Sequence, residues 1–202
     1  SISVAAVGAT THLTHLLVNF FVGLSVGAGV AVAHAIGSRE TEWVHRTVHT
    51  AIPAAIVSGI FLTIVGVALS ETFLVWMDTP TENDVLKLAT LYMQIYFGGM
   101  VFNMVYNFAA SILRAAGDTK SPLIFLGLSG LINVGLNMIF VLACHMNVEG
   151  VALATVISQA VSAVLVVITL MRRTDACKLE LKKMRFYAEQ IRKIIRIGLP
   201  AG

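Results

Sequence analysis

Hydrophobic positions run along this chain in long unbroken blocks. Ser1 to Ser38, Thr47 to Ser70, Leu88 to Leu113, Ser121 to Val148 and Gly150 to Met171 contain no Asp, Glu, Lys or Arg. The shortest block, Gly150 to Met171, would rise about 33 Å as an α-helix, enough to cross a hydrocarbon core of about 30 Å. A barrel strand needs only about ten residues of strict apolar and polar alternation, and VVITLM and AAIVSGIFLTIVGVAL show none. The pattern predicts an all-α integral membrane protein, a polytopic helical bundle with spans at about 10–37, 47–70, 87–113, 121–144 and 149–171.

Composition narrows the class further. The 202 residues are 57% hydrophobic and 12% charged, with a mean hydropathy of +0.84, against roughly 25% charge in a soluble domain. Disorder, a disulfide scaffold and a collagen-like fibre are excluded. The net charge of +3 does not point to nucleic acid, because nine of the fourteen basic residues lie between Arg172 and Arg196, beside the last span. That placement suits membrane lipids at the cytoplasmic surface. The two cysteines fall near opposite ends of the spans, Cys144 at the outer end of one and Cys177 after another, so they are expected to be free thiols.

Charge also sets the topology. Arg39 and Arg46, Arg114 and Lys120, and the nine bases from Arg172 onwards share one side, with Lys87 the exception, while residues 71–84 hold Glu71, Asp78, Glu82 and Asp84 and no base. The positive-inside bias makes the basic side cytoplasmic. Five spans that begin outside imply a helix before Ser1, and IIRIGLPAG reads as the start of a further apolar segment. The expected whole is a six-helix lobe, five of whose helices are complete here, joined to a second lobe that begins at 197–202. Between them, 172–196 is expected to form an amphipathic linker helix with Met184, Tyr187, Ile191 and Ile195 on its apolar side.

Polar groups inside spans face the bundle or a cavity, because hydrocarbon leaves them no other partner. Asn133 and Asn137 are four apart on one face of the fourth span, Asn103 and Asn107 repeat the spacing in the third, and Thr155, Ser158 and Gln159 lie in the fifth. They are candidates for a substrate and ion cavity, or for interhelical hydrogen bonding. Glycines in GLSVGAG and GLSG point to close helix approach. Pro53 and Pro122 lie near cytoplasmic span ends, where proline usually opens a helix. His12 and His15 make a conceivable metal pair that no Cys or carboxylate completes. No Asp or Glu lies in the core of a complete span, and nucleotide-loop, serine-nucleophile and zinc-protease motifs are lacking, so an enzyme is not expected.

FAASILRAAGDTKSPL at residues 108–123, LINVGLNMIFVL and VEGVALATVISQ together resemble the multidrug and toxic compound extrusion (MATE) family. The resemblance covers nearly the whole chain, and the Arg114, Gly117, Asp118, Pro122 turn is its most specific part. It implies twelve helices in two six-helix lobes and export of organic cations or amphiphilic drugs in exchange for Na⁺ or H⁺, with no bound cofactor. Asn133 and Thr155 resemble residues lining the amino-terminal lobe's polar cavity. Asn137 stands where several members carry an Asp, which removes a titratable group. A lipid-precursor or polysaccharide flippase of similar fold is the alternative; it calls for a basic cavity, and no Lys or Arg lies mid-span.

Overall fold

The computed structural model describes residues 2–76, 85–146 and 148–201, and their side chains apart from residues 2–17, 76 and 85. The side chains of His12 and His15, and the acids Asp78, Glu82 and Asp84, therefore lie outside the described residues. The elements are α1 (Ile2–Gly37), α2 (Thr41–Trp76), α3 (Val85–Gly98), α4 (Met100–Ala115), α5 (Lys120–Asn137) with a π-helical extension (Met138–Ala143), α6 (Val148–Arg172) and α7 (Ala188–Gly198). Among the described residues, five spans are long and apolar enough to cross a membrane, with α3 and α4 counted as one.

The core lies where α1, α2, α4 and the end of α6 meet, and small side chains let them approach. Ala28, Ala31, Ala35, Ala51, Ala55 and Ala109 are buried among Val32, Val48, Leu62, Met104, Phe108 and Leu170. Because lipid tails are as apolar as these side chains, close packing rather than exclusion of water holds such a bundle together. α5 is different: only Pro122 and Ser129 of its eighteen residues are buried, while Leu123 and Leu131 are more than 70% exposed.

The third span is broken where the sequence pattern predicts one helix over 87–113. α3 stops at Gly98, Gly99 caps α4, and the interruption frees the Phe97 carbonyl, which accepts a hydrogen bond from Thr63 Oγ1 at 2.8 Å. Gly59, one turn before Thr63 on α2, lies against the α4 backbone, so a Cβ there would overlap Val101 Cα. The face of α2 that carries Gly59 and Thr63 is thus shaped to the break.

Pro53 lies inside α2 rather than opening a helix. A proline there leaves the carbonyl four residues earlier without its helical donor, and the chain after α6 supplies one. Arg185 N donates to the His49 carbonyl at 3.1 Å. Glu180 N donates to His49 Nε2 at 2.9 Å, which fixes the proton on Nδ1 for donation to the His45 carbonyl at 2.7 Å. Thr50 Oγ1 donates to the Arg185 carbonyl and accepts from Tyr187 N. Residues 173–187 are therefore a strap laid on α2, with Cys177 and Leu179 buried in the core.

This corrects the linker expected over 172–196. Its α-helical part is Ala188–Gly198 alone, and the buried positions are Gln190, Ile194 and Gly198, whereas Ile195 is 40% exposed. Gly198 crosses α1 at Gly27, each so close to the other helix that a Cβ on either would clash with backbone. The buried side follows this crossing, and the strap hydrogen bonds straighten the segment that carries Met184 and Tyr187.

Candidate functional site

A polar stripe runs down α5 at intervals of four: Ser129, Asn133, Asn137. It faces Thr155 and Ser158 on α6. Ser129 Oγ donates to the Ser158 carbonyl at 2.7 Å, and Asn133 Nδ2 donates to Thr155 Oγ1 at 3.2 Å and Ser158 Oγ at 3.3 Å. Asn137 Nδ2 donates to Asn133 Oδ1 at 2.9 Å. The Thr155 and Ser158 hydroxyls donate to carbonyls of their own helix, Val151 and Thr155, which leaves their oxygens free to accept from Asn133. Each group in the seam thus has a defined direction of donation.

Among the described residues, two buried side-chain amide oxygens accept no hydrogen bond: Asn137 Oδ1 and Gln159 Oε1. Both are neutral acceptors suited to a cation or a donor group. Gln159 follows Ser158 directly, and its own carbonyl accepts from Ser162 Oγ at 2.9 Å.

The six polar positions picked out of the sequence do not form one cluster. Asn133, Asn137 and Thr155 are joined, whereas Asn107 Nδ2 donates to Asn103 Oδ1 at 3.0 Å and to the Asn103 carbonyl at 2.8 Å, closing that pair on α4. Ser129 was missed as a seam member, although its spacing of four before Asn133 is the legible signal. Asn133 is also more embedded than a cavity-facing amide would be, since its removal strips Asn137 Nδ2 of its acceptor.

The turn between α4 and α5 follows its chemistry closely. Gly117 has φ +91°, a conformation L side chains rarely adopt. Its N–H donates to the Arg114 carbonyl and the Asp118 N–H to the Leu113 carbonyl, the two bonds of a Schellman cap. Asp118 Oδ1 then accepts from Ser121 N at 3.0 Å, capping α5 rather than pairing with Arg114. Hydrogen bonds from the Ser121 hydroxyl and N–H hold the Asp118 carboxyl below its ordinary range. Pro122 lies in the first turn of α5, and its carbonyl accepts from Tyr106 Oη at 2.8 Å. Arg114 is exposed and helps line a groove with Val26, Val30 and Ala33 of α1.

Membrane-length helices packed through small residues, with a hydrogen-bonded polar seam between two of them, define a multi-pass membrane protein. The chain belongs to the MatE family, whose model matches residues 1–139. It is 28% identical over 99% of its length to the probable multidrug resistance protein YoeA of Bacillus subtilis (strain 168), and 28% identical over 100% to the probable multidrug resistance protein YpnP of the same strain. It spans 44% of the length of each of these relatives. In fold it is similar to a crystal structure of MATE in the bent conformation, with a TM-score of 0.84, 22% identity, and coverage of 100% of this chain and 45% of that one.

Proposed function

We propose that this chain forms the amino-terminal lobe of a secondary active multidrug exporter, which moves organic cations or amphiphilic drugs outwards in exchange for Na⁺ or H⁺. The observation that carries the reading is the joined seam of Asn133, Asn137 and Thr155 in a chain of the MatE family. Relatives with multidrug names favour drugs over the lipid precursors of a flippase. The amide oxygens of Asn137 and Gln159 are the acceptors offered to the coupling ion or to a cationic substrate. A second six-helix lobe of the same protein supplies the opposite wall of the cavity. The basic ends of the spans, with the strap and α7, face the cytoplasm.

In vesicles holding the full-length protein, an imposed Na⁺ or H⁺ gradient should drive export of an organic cation dye. No gradient-dependent movement with either ion overturns the proposal. Sidedness is tested on native thiols. Cys144 is exposed, while Cys177 is buried and desolvation pushes its thiol up to about 11. An impermeant maleimide added to intact cells should label Cys144 and spare Cys177; labelling of Cys144 only after permeabilisation reverses the orientation.

A further inference from the structure

α7 carries a basic cavity whose lining includes none of the polar seam residues. It has a volume of about 540 Å³ and is lined by Trp43, Glu189, Arg192, Lys193, Arg196 and Ile197. Lys193 Nζ lies 4.4 Å from the centre of the Trp43 ring and 3.3 Å from His34 Nδ1. This draws Lys193 away from Glu189, its partner at the usual spacing of four. Arg192 and Arg196, one turn apart and exposed, enter no ion pair among the described residues. Three cations thus line the cavity with one carboxylate.

The depth of the cavity narrows what it can bind. His34 lies three residues from the end of the span Val18–Gly37, and Trp43 is the third residue of the span Thr41–Val75, so both stand at the basic ends of their spans, the side on which headgroups and indole rings concentrate. Val30 and Val26, four and eight residues before His34 on the same face of α1, are exposed and continue the surface towards the bilayer interior. We infer that the cavity lined by Trp43, Arg192, Lys193 and Arg196 binds the phosphate of an anionic phospholipid headgroup. Arg192 and Arg196 donate charge-assisted hydrogen bonds to its oxygens, and Lys193, braced on Trp43, supplies the third cation. The site deepens the membrane-surface reading of α7 and is independent of which substrate or ion is transported, so failure of one leaves the other standing.

The test is native mass spectrometry of the full-length protein titrated with phosphatidylglycerol or phosphatidylcholine. The wild type should retain phosphatidylglycerol preferentially, and Arg192→Gln with Arg196→Gln should weaken retention by about thirtyfold, each surface cation contributing about a factor of five. Should that double variant not accumulate, Glu189→Gln removes the opposing charge and should tighten retention several-fold. Unchanged retention in either variant, equal retention of phosphatidylcholine, or displacement of the lipid by millimolar inorganic phosphate would each overturn the inference. So would a wild type that retains no phosphatidylglycerol because an acidic segment of the rest of the protein fills the cavity.

Discussion

The α2–α4 contact and the α5–α6 contact join apolar helices by opposite means. α2 meets α4 through absent side chains: Gly59 lies against the Val101 backbone and Thr63 repairs the carbonyl exposed at the break. α5 meets α6 through side chains, a ladder of Ser129, Asn133, Thr155 and Ser158, while the rest of its surface is exposed leucine and isoleucine. Shape complementarity makes the first contact intolerant of added volume. Hydrogen bonds worth about 0.6 kcal/mol each make the second the more separable of the two.

The largest effect should come from adding one methyl group to each region. Gly59→Ala must push α4 off α2, a cost of about 1–3 kcal/mol or more for overpacking, and should lower thermal stability in detergent or abolish accumulation. Gly130→Ala on α5 meets nothing within 4 Å and should be neutral or stabilise by up to about 1 kcal/mol, as Ala does over Gly in a helix interior. Equal losses would erase the distinction between the two contacts.

Next in size is the strap, which belongs to the dense region. His49→Ala removes the acceptor of the part-buried Glu180 N–H, at a cost of about 1–2 kcal/mol for a donor left unpaired. Cys177, part of the strap and buried against the core, should then react faster with a thiol reagent in detergent. An unchanged labelling rate would show that the strap is held by other contacts.

A smaller effect is expected at the start of α5. Asp118→Ala should cost about 1 kcal/mol, the usual value of a helix cap. The Asp118 carboxyl is held low in the folded state, so its contribution is present above the ordinary carboxylate range and fades as pH falls through and below it. The difference in melting temperature between wild type and variant should therefore shrink in acid; a constant difference would remove the charge from the explanation.

Much of this contrast is legible in the sequence. Charge-free blocks locate the spans, and the spacing of four puts Asn133 and Asn137 on one face of α5; the same spacing marks Asn103 and Asn107, and the link from Asn133 to Thr155 comes from the packing of α5 on α6. Gly117 and Pro122 announce their turn, since few other residues fit those backbone positions. The break at Gly99 was not legible because Gly98 and Gly99 lie in an apolar run, and its stability depends on Thr63 from another helix. Pro53 misled for the same reason: a proline mid-helix is tolerable here only because Arg185, more than 130 residues later, donates to the orphaned carbonyl. Likewise α7 buries Gln190 and Ile194, because the Gly27 and Gly198 crossing sets its rotation and hydrophobic spacing alone does not.

The account rests on the seam being a working surface as well as a joint, and Asn137 is where the two roles separate. Asn137→Asp keeps the size of the side chain, and the Asn133 amide can turn to donate to the new carboxylate while its oxygen accepts from Thr155 or Ser158. Export should be measured in vesicles containing the full-length protein, at matched protein levels and across a range of pH, beside the melting temperature of the same samples. The account predicts near-wild-type melting and an export rate with a new dependence on pH, because the seam has gained a titratable group. Wild-type export at every pH with unchanged melting would contradict it and leave the seam as a joint alone.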